Sequence, residues 1–171
     1  VRRIIEFWKD QDYEIVKIQI NDFLLKQPES VLCNPLRGIL GDIYLHEGAC
    51  EQALSIYEQI TDSEVEKKIF INKLQCLYSL KRYPDLSNLA YNFLSQNAIP
   101  EHQTADFYFL LAESLLHQSI GAIDEQIAKQ FATEAQKYYL VLDKTRHKDS
   151  AAFAIAETYR LLQQYPEAVA H

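Results

Sequence analysis

Two histidines, His46 and His117, are the side chains in this sequence best suited to metal binding or proton transfer. His46 lies five residues after Gly41, and His117 lies five residues after Ala112. An imidazole can bind a transition metal or carry a proton, but a metal site needs two or three further ligands at a matching depth. Neither residue belongs to a His-x-x-x-His pair, and we identify no cysteine partner that completes a ligand set. We therefore expect no metal site and assign both histidines to a binding surface or a turn.

Acidic side chains occur in close pairs at Glu64/Glu66 and at Asp124/Glu125. Two carboxylates can act as a general acid and a general base. Both pairs fall where helices are predicted to begin, and the helix dipole favours acidic side chains at that end. The three cysteines are widely spaced and form neither a metal knuckle nor a Cys-x-x-Cys pair. The sequence also contains no glycine-rich phosphate loop and no nucleophile elbow. We expect no catalytic residue, no cofactor and no enzyme activity.

The composition favours long helices and restricts the class of partner. Hydrophobic residues make up 48% of the 171 residues, with only 4 Gly and 5 Pro to interrupt helices. The formal net charge of −7 argues against a general nucleic-acid surface, which needs clustered Lys and Arg. No apolar run approaches the roughly 18 residues that a membrane span requires. We expect a protein or peptide partner, no nucleic acid and no insertion into a membrane.

A spacing of three and then twelve residues recurs along the chain. Gly41 is followed after three residues by Tyr44 and after twelve by Ala53. The same spacing links Ile4, Phe7 and Val16; Leu74, Leu77 and Leu86; and Ala156, Tyr159 and Ala168. A further unit begins at Ala112, where about eleven residues are inserted after His117. Three residues make about one helical turn, so each set shares a helix face, and stacked helix pairs can bury that face together.

Helix periodicity and turn residues predict the elements. Asn34, which precedes a proline, is interpreted as an N-cap, and Ser63 with Glu66 as a capping box. Pro84 is placed at the start of a helix, and residues 119–123 are predicted to form a mobile surface loop. The predicted helices lie near 1–10, 13–27, 35–47, 50–61, 64–80, 84–97, 101–118, 124–143, 149–163 and from 166 onward.

The repeat resembles the tetratricopeptide repeat family over nearly the whole chain. The resemblance is strongest in LGDIYLHEG at 40–48, which is followed by ALSIY at 53–57. A second match is IAETY at 155–159, followed by QYPEA at 164–168. The resemblance implies an all-α fold, a right-handed α-α superhelix of about five helix pairs that forms one repeat domain over 1–171. Its units would lie near 1–33, 34–63, 64–100, 101–147 with the insertion near 118–128, and 148–171, the last of them incomplete.

In this family the first helix of each pair lines a concave groove, and the resemblance therefore implies the binding residues. The inward-facing positions that match are Trp8, Asp42, Leu45, His46, Gln75, Tyr78, Phe109, Glu113, Leu116, His117, Phe153, Glu157 and Arg160. Aromatic side chains mixed with carboxylates suit an apolar peptide that carries some positive charge. Chaperone-tail clamps of the family use Lys and Asn at such positions, and the acidic residues here would repel a terminal carboxylate.

The resemblance implies a non-catalytic protein–protein interaction scaffold that binds a peptide or protein in its concave groove. The alternative is a structural or assembly component that self-associates through its repeat ends. The stretch FLLKQPES at 23–30 is similar to helix ends in bacterial envelope repeat proteins, and both a cytoplasmic and a periplasmic location stay open. The chain begins at Val1, contains no Met and ends within a unit. We therefore expect a fragment of a longer solenoid that forms a weak homodimer.

Overall fold

The structure, a computed structural model, describes residues 13–142 and 144–163, and these residues form helices joined by short connections with no strand among them. The helices are α1 (Tyr13–Lys26), α2 (Cys33–His46), α3 (Cys50–Tyr57), α4 (Ser63–Ser79), α5 (Tyr83–Gln96), α6 (Glu101–Gly121), α7 (Glu125–Leu140) and α8 (Lys148–Gln163). Each helix predicted between 13 and 163 is present, which confirms the all-α fold class. The helices predicted near 1–10 and from 166 onward lie outside the described residues.

The chain divides into two compact units, Val1–Cys76 and Leu77–His171, with the boundary inside α4. In the first unit α2 packs on α1 and on α3 around a core that includes Ile20, Leu40 and Ile43. In the second unit each of α5, α6 and α7 packs on the next helix, and α8 also contacts α6. Each unit therefore buries its apolar stripes between neighbouring helices, as helical repeats do. Within the described part of the chain, no helix is long and apolar enough to cross a membrane.

Two tight turns of the same form end α2 and α4. Gly48 has a positive φ of 76°, and the N–H of the following residue donates to the carbonyl of Tyr44 at 2.8 Å. Lys81, thirty-three residues later, has a φ of 58°, and the next N–H donates to the carbonyl of Leu77 at 2.9 Å. Both are caps in which a left-handed residue lets the chain satisfy the last helix carbonyls. Glycine adopts this conformation without strain, whereas lysine does so at a cost.

Close packing at Gly41 confirms one of the predicted small positions. A Cβ atom on Gly41 would stand 2.2 Å from Cε1 of Tyr57, so only glycine leaves room for that buried ring. Ala112 is also fully buried, as the repeat spacing predicts. Ala156 is instead exposed. The residue expected to pack near it, Ala168, lies outside the described residues.

Two predicted caps are wrong, because α2 begins before Asn34 without a side-chain cap and a different side chain caps α4. Helix α2 begins at Cys33, so Asn34 lies inside the helix, and its Oδ1 accepts a hydrogen bond from the N–H of Thr61 at 2.9 Å. Asp62 caps α4 in place of Ser63, because its Oδ1 accepts two backbone N–H groups of the first turn at 3.0 Å. An aspartate one residue earlier satisfies the same orphan donors that a capping serine would.

The loop predicted over 119–123 is wrong at its start, because α6 continues to Gly121. Ser119 is only 3% exposed, and its hydroxyl donates to the carbonyl of Ala128 at 2.8 Å. The end of α6 is thus tied to α7, and only residues 122–124 connect the two helices. Asp124 caps α7 by accepting the N–H of Ile127 at 2.9 Å. The inserted residues lengthen packed helices instead of forming a removable surface loop.

Candidate functional site

A groove of about 580 Å³ lies between α6 and α8 in the second unit. It is lined by Phe109, Glu113, Leu116, His117, Ile120, Asp149, Ser150, Phe153, Ala154 and Glu157. Six of these ten residues, Phe109, Glu113, Leu116, His117, Phe153 and Glu157, were predicted from the sequence. These six predicted residues therefore line one groove between α6 and α8, and whether the groove binds a partner stays a prediction.

Helical spacing explains why these residues meet. The lining residues of each helix recur at intervals of three or four residues and so share one face of it. On α6 another face carries Phe107, Leu111 and Leu115, which are fully buried in the core. Four lining residues were not predicted from the sequence: Ile120, Asp149, Ser150 and Ala154. Asp149 stands four residues before Phe153 on α8, and this spacing alone was the signal that could have revealed it.

The groove presents apolar surface to solvent. Phe153 is 79% exposed and Ile120 is 54% exposed, while Leu116 is buried beneath them. The ring of Phe109 stacks on His147, with 4.3 Å between the centroids and 6° between the planes. His117 stacks on Tyr83 in the same way, with a centroid separation of 4.4 Å. Stacking therefore orients the Phe109 and His117 rings of the groove.

Glu113 serves the packing of the second unit as well as the groove. Its Oε1 accepts the hydroxyl of Tyr139 at 2.6 Å, and its Oε2 accepts the hydroxyl of Tyr78 at 3.1 Å. Burial, together with the Glu113 charge, raises the pKa of Tyr78 to about 12. The same causes raise the pKa of Tyr139 far above its usual range. The carboxylate therefore joins α4, α6 and α7, a role that the sequence analysis did not foresee.

Asp42 makes the corresponding bonds in the first unit. Its Oδ1 accepts the hydroxyl of Tyr57 at 2.6 Å and the side-chain amide of Asn72 at 2.7 Å. Burial and then the bond to Asp42 raise the pKa of Tyr57 well above its ordinary value. Asp42 follows Gly41 as Glu113 follows Ala112. Asp42 and Tyr57 are 15 residues apart, whereas Glu113 and Tyr139 are 26 residues apart. The difference equals the insertion of about eleven residues after His117.

Ion pairs hold two further acidic residues of the second unit. Glu157, at the rim of the groove, accepts the Nε of Arg160 at 3.0 Å. Asp106 bonds Nε2 of His147 at 2.7 Å and also pairs with Arg146. Burial raises the pKa of the Asp106 carboxyl, but the hydrogen bonds from Arg146 and His147 outweigh burial and hold that pKa below its usual value.

The other predicted groove residues have separate surroundings. In the first unit Leu45 is half-buried, Gln75 is exposed, and the exposed His46 lies edge-on to the Tyr13 ring at 5.2 Å. Trp8 lies outside the described residues. Arg160 is exposed beside Glu157 and does not line the groove.

The chemistry that the groove offers is apolar contact and negative charge. It contains three carboxylates and neither lysine nor arginine among its lining residues. Across the described residues, no three His, Cys, Asp or Glu side chains come close enough to hold a metal ion. Neither a scan against models of protein families nor a search of curated proteins finds a match to this sequence.

Proposed function

We propose that this chain is a non-catalytic binding module that holds an apolar, positively charged segment of a protein partner in the α6/α8 groove. The observation that carries the proposal is Phe153, a large aromatic side chain left 79% exposed beside a groove with three carboxylates. Exposed aromatic residues next to a formed depression act as anchors in protein interfaces. Charge complementarity favours a partner that is basic.

The proposal includes a tetratricopeptide-type architecture, in which the helix pairs continue as a right-handed superhelix. The recurring turn at Gly48 and Lys81 supports it, as does the recurring carboxylate–tyrosine bond at Asp42 and Glu113. Both recur at the positions that the repeat spacing assigns. A small-angle scattering profile would test the architecture, because a superhelix predicts an elongated particle and a closed helical bundle predicts a globular one.

Selection of binders from a phage-displayed library of random 12-residue peptides would test the binding function. We expect apolar peptides with Arg or Lys, and we expect Phe153→Ser to abolish their binding without lowering stability. Tyr159→Ser is the matched control, because Tyr159 is an exposed aromatic residue of α8 that does not line the groove. Binding that survives Phe153→Ser but is lost with Tyr159→Ser would place the interface elsewhere.

The second candidate function is self-association as an assembly component. It is favoured by exposed apolar residues away from the groove, namely Leu25, Val31 and the fully exposed Ile123. Exposed apolar residues mark an interaction site where they form a contiguous patch, so the test below replaces them one at a time. Sedimentation equilibrium over a hundredfold range of concentration would separate the two functions. A stable dimer that Ile123→Ser or Leu25→Ser dissociates would support assembly, and a monomer throughout would exclude it.

A further inference from the structure

The three carboxylates of the α6/α8 groove differ in how fully they are already bonded. Glu113 is half-buried, and each of its oxygens accepts a tyrosine hydroxyl. Glu157 is paired with Arg160, so its charge is largely balanced. Asp149 is exposed and makes no ion pair or side-chain hydrogen bond with any described residue. Asp149 is therefore the groove carboxylate with open acceptor sites.

Asp149 also has a favourable position relative to Phe153, the apolar side chain proposed to anchor the partner. It lies in the first turn of α8, four residues before Phe153, so both side chains lie on the groove face of the same helix. A peptide with an apolar side chain against Phe153 would hold a neighbouring side chain within reach of Asp149. Arginine fits this place best, because its planar guanidinium can bond both carboxylate oxygens.

We infer that Asp149 is the specificity-determining residue that selects an arginine next to an apolar side chain in the partner. The inference rests on the proposed function, because it assumes that a peptide segment occupies the groove. From the sequence, Asp42, Glu113 and Glu157 were predicted to supply the charge recognition. Asp42 accepts hydrogen bonds from Tyr57 and Asn72 in the first unit. Glu113 and Glu157 are held by partners within the second unit.

The experiment uses an array of 12-residue peptides, each with two Leu residues and a single Arg scanned through the other positions. Every peptide is repeated with citrulline, the neutral isostere of arginine, and with Glu in place of Arg. The array is probed with the fluorescently labelled wild-type chain and with Asp149→Asn. Glu101→Gln is the matched control, because Glu101 is an exposed carboxylate in the first turn of α6 that lies outside the groove lining.

At low salt we expect the wild type to bind the best Arg peptide about 2- to 5-fold more tightly than its citrulline twin, the range for an exposed ion pair. Asp149→Asn should bring this ratio close to one, and Glu101→Gln should leave it unchanged. An unchanged ratio in Asp149→Asn, or tighter binding of the citrulline or Glu peptides by the wild type, would overturn the inference. The Phe153→Ser variant distinguishes failure of the Asp149 inference from failure of the proposed groove function. If no peptide depends on Phe153, the groove function fails and the inference falls with it.

Discussion

Replacing Gly41 with alanine tests the close contact between α2 and the Tyr57 ring of α3. The new methyl carbon would stand 2.2 Å from Cε1 and 2.6 Å from Cδ1 of Tyr57, distances that no packed side chain tolerates. Tyr57 is only 1% exposed, so its ring is enclosed by the core. The ring must therefore shift, and its hydroxyl must leave the 2.6 Å bond to Asp42.

The expected change in the free energy of unfolding combines two losses and one gain. Overpacking a core contact costs about 1–3 kcal/mol. Loss of a hydrogen bond to a charged group costs about 1.5–3 kcal/mol. Alanine in place of glycine within a helix returns about 1 kcal/mol. Gly41→Ala should therefore lower the free energy of unfolding by roughly 2–4 kcal/mol, since the two losses partly overlap.

A second glycine in the same helix supplies the control. A Cβ atom on Gly38 would meet Cγ2 of Ile69 at 3.5 Å and Cγ1 of Val65 at 3.6 Å, which are ordinary contact distances. Gly38→Ala keeps the helix-propensity gain without the clash and should raise stability by about 0.5–1 kcal/mol. Urea unfolding followed by circular dichroism measures both variants, with stability taken from the midpoint and slope. Equal effects of the two substitutions, in either direction, would refute the packing described for Gly41.

Three further predictions concern strain, pH and thiol burial. Lys81→Gly should stabilise the chain by up to about 1 kcal/mol in urea unfolding, because it relieves a left-handed backbone, whereas Gly48→Ala should destabilise it. Asp106→Asn should destabilise the protein at neutral pH. Because the pKa of Asp106 is lowered in the folded state, its contribution is present above the usual carboxyl range and fades as pH falls through the lowered value. The difference from wild type should therefore shrink below about pH 4, and a difference that stays constant with pH would contradict this. Burial raises the pKa of the Cys76 thiol to about 12, and all three cysteines are buried, so Ellman's reagent should react with none in the native state and with three after unfolding.

Local sequence patterns were sufficient to predict which segments are helical. Hydrophobic periodicity and the scarcity of breakers placed each helix between 13 and 163, with ends within a few residues. The errors arose where a distant group decided the outcome. Asn34 has the residue type of a cap and precedes a proline, yet it lies inside α2 and its side chain bonds Thr61. Ser119 was predicted to lie in a loop, but it belongs to α6 and its hydroxyl donates a hydrogen bond to the carbonyl of Ala128.

The candidate site was also predictable only in part, because some of its features depend on neighbouring residues and others on residues far along the chain. The resemblance to a repeat family predicted Phe109, Glu113 and Phe153 as groove residues, and all three line the groove between α6 and α8. It could not show that Glu113 is already bonded. That fact depends on Tyr139, 26 residues along the chain and beyond an insertion that shifts the repeat register. A pattern of residue types predicts the charge of such a side chain. It does not predict which hydrogen-bond donors its carboxylate oxygens already accept.

The bonds of Asp42 have a practical consequence for anyone who dissects this chain into fragments. A fragment that ended at Thr61 would contain the complete helix pair α2 and α3 but would remove Asn72 from Asp42. The carboxylate would then lose a donor inside a half-buried site, at a cost of about 1–3 kcal/mol. The smallest stable piece of the first unit should therefore extend into α4 at least as far as Asn72. A deletion series cut after α3 would make the α2/α3 pair look weaker than it is in the intact protein.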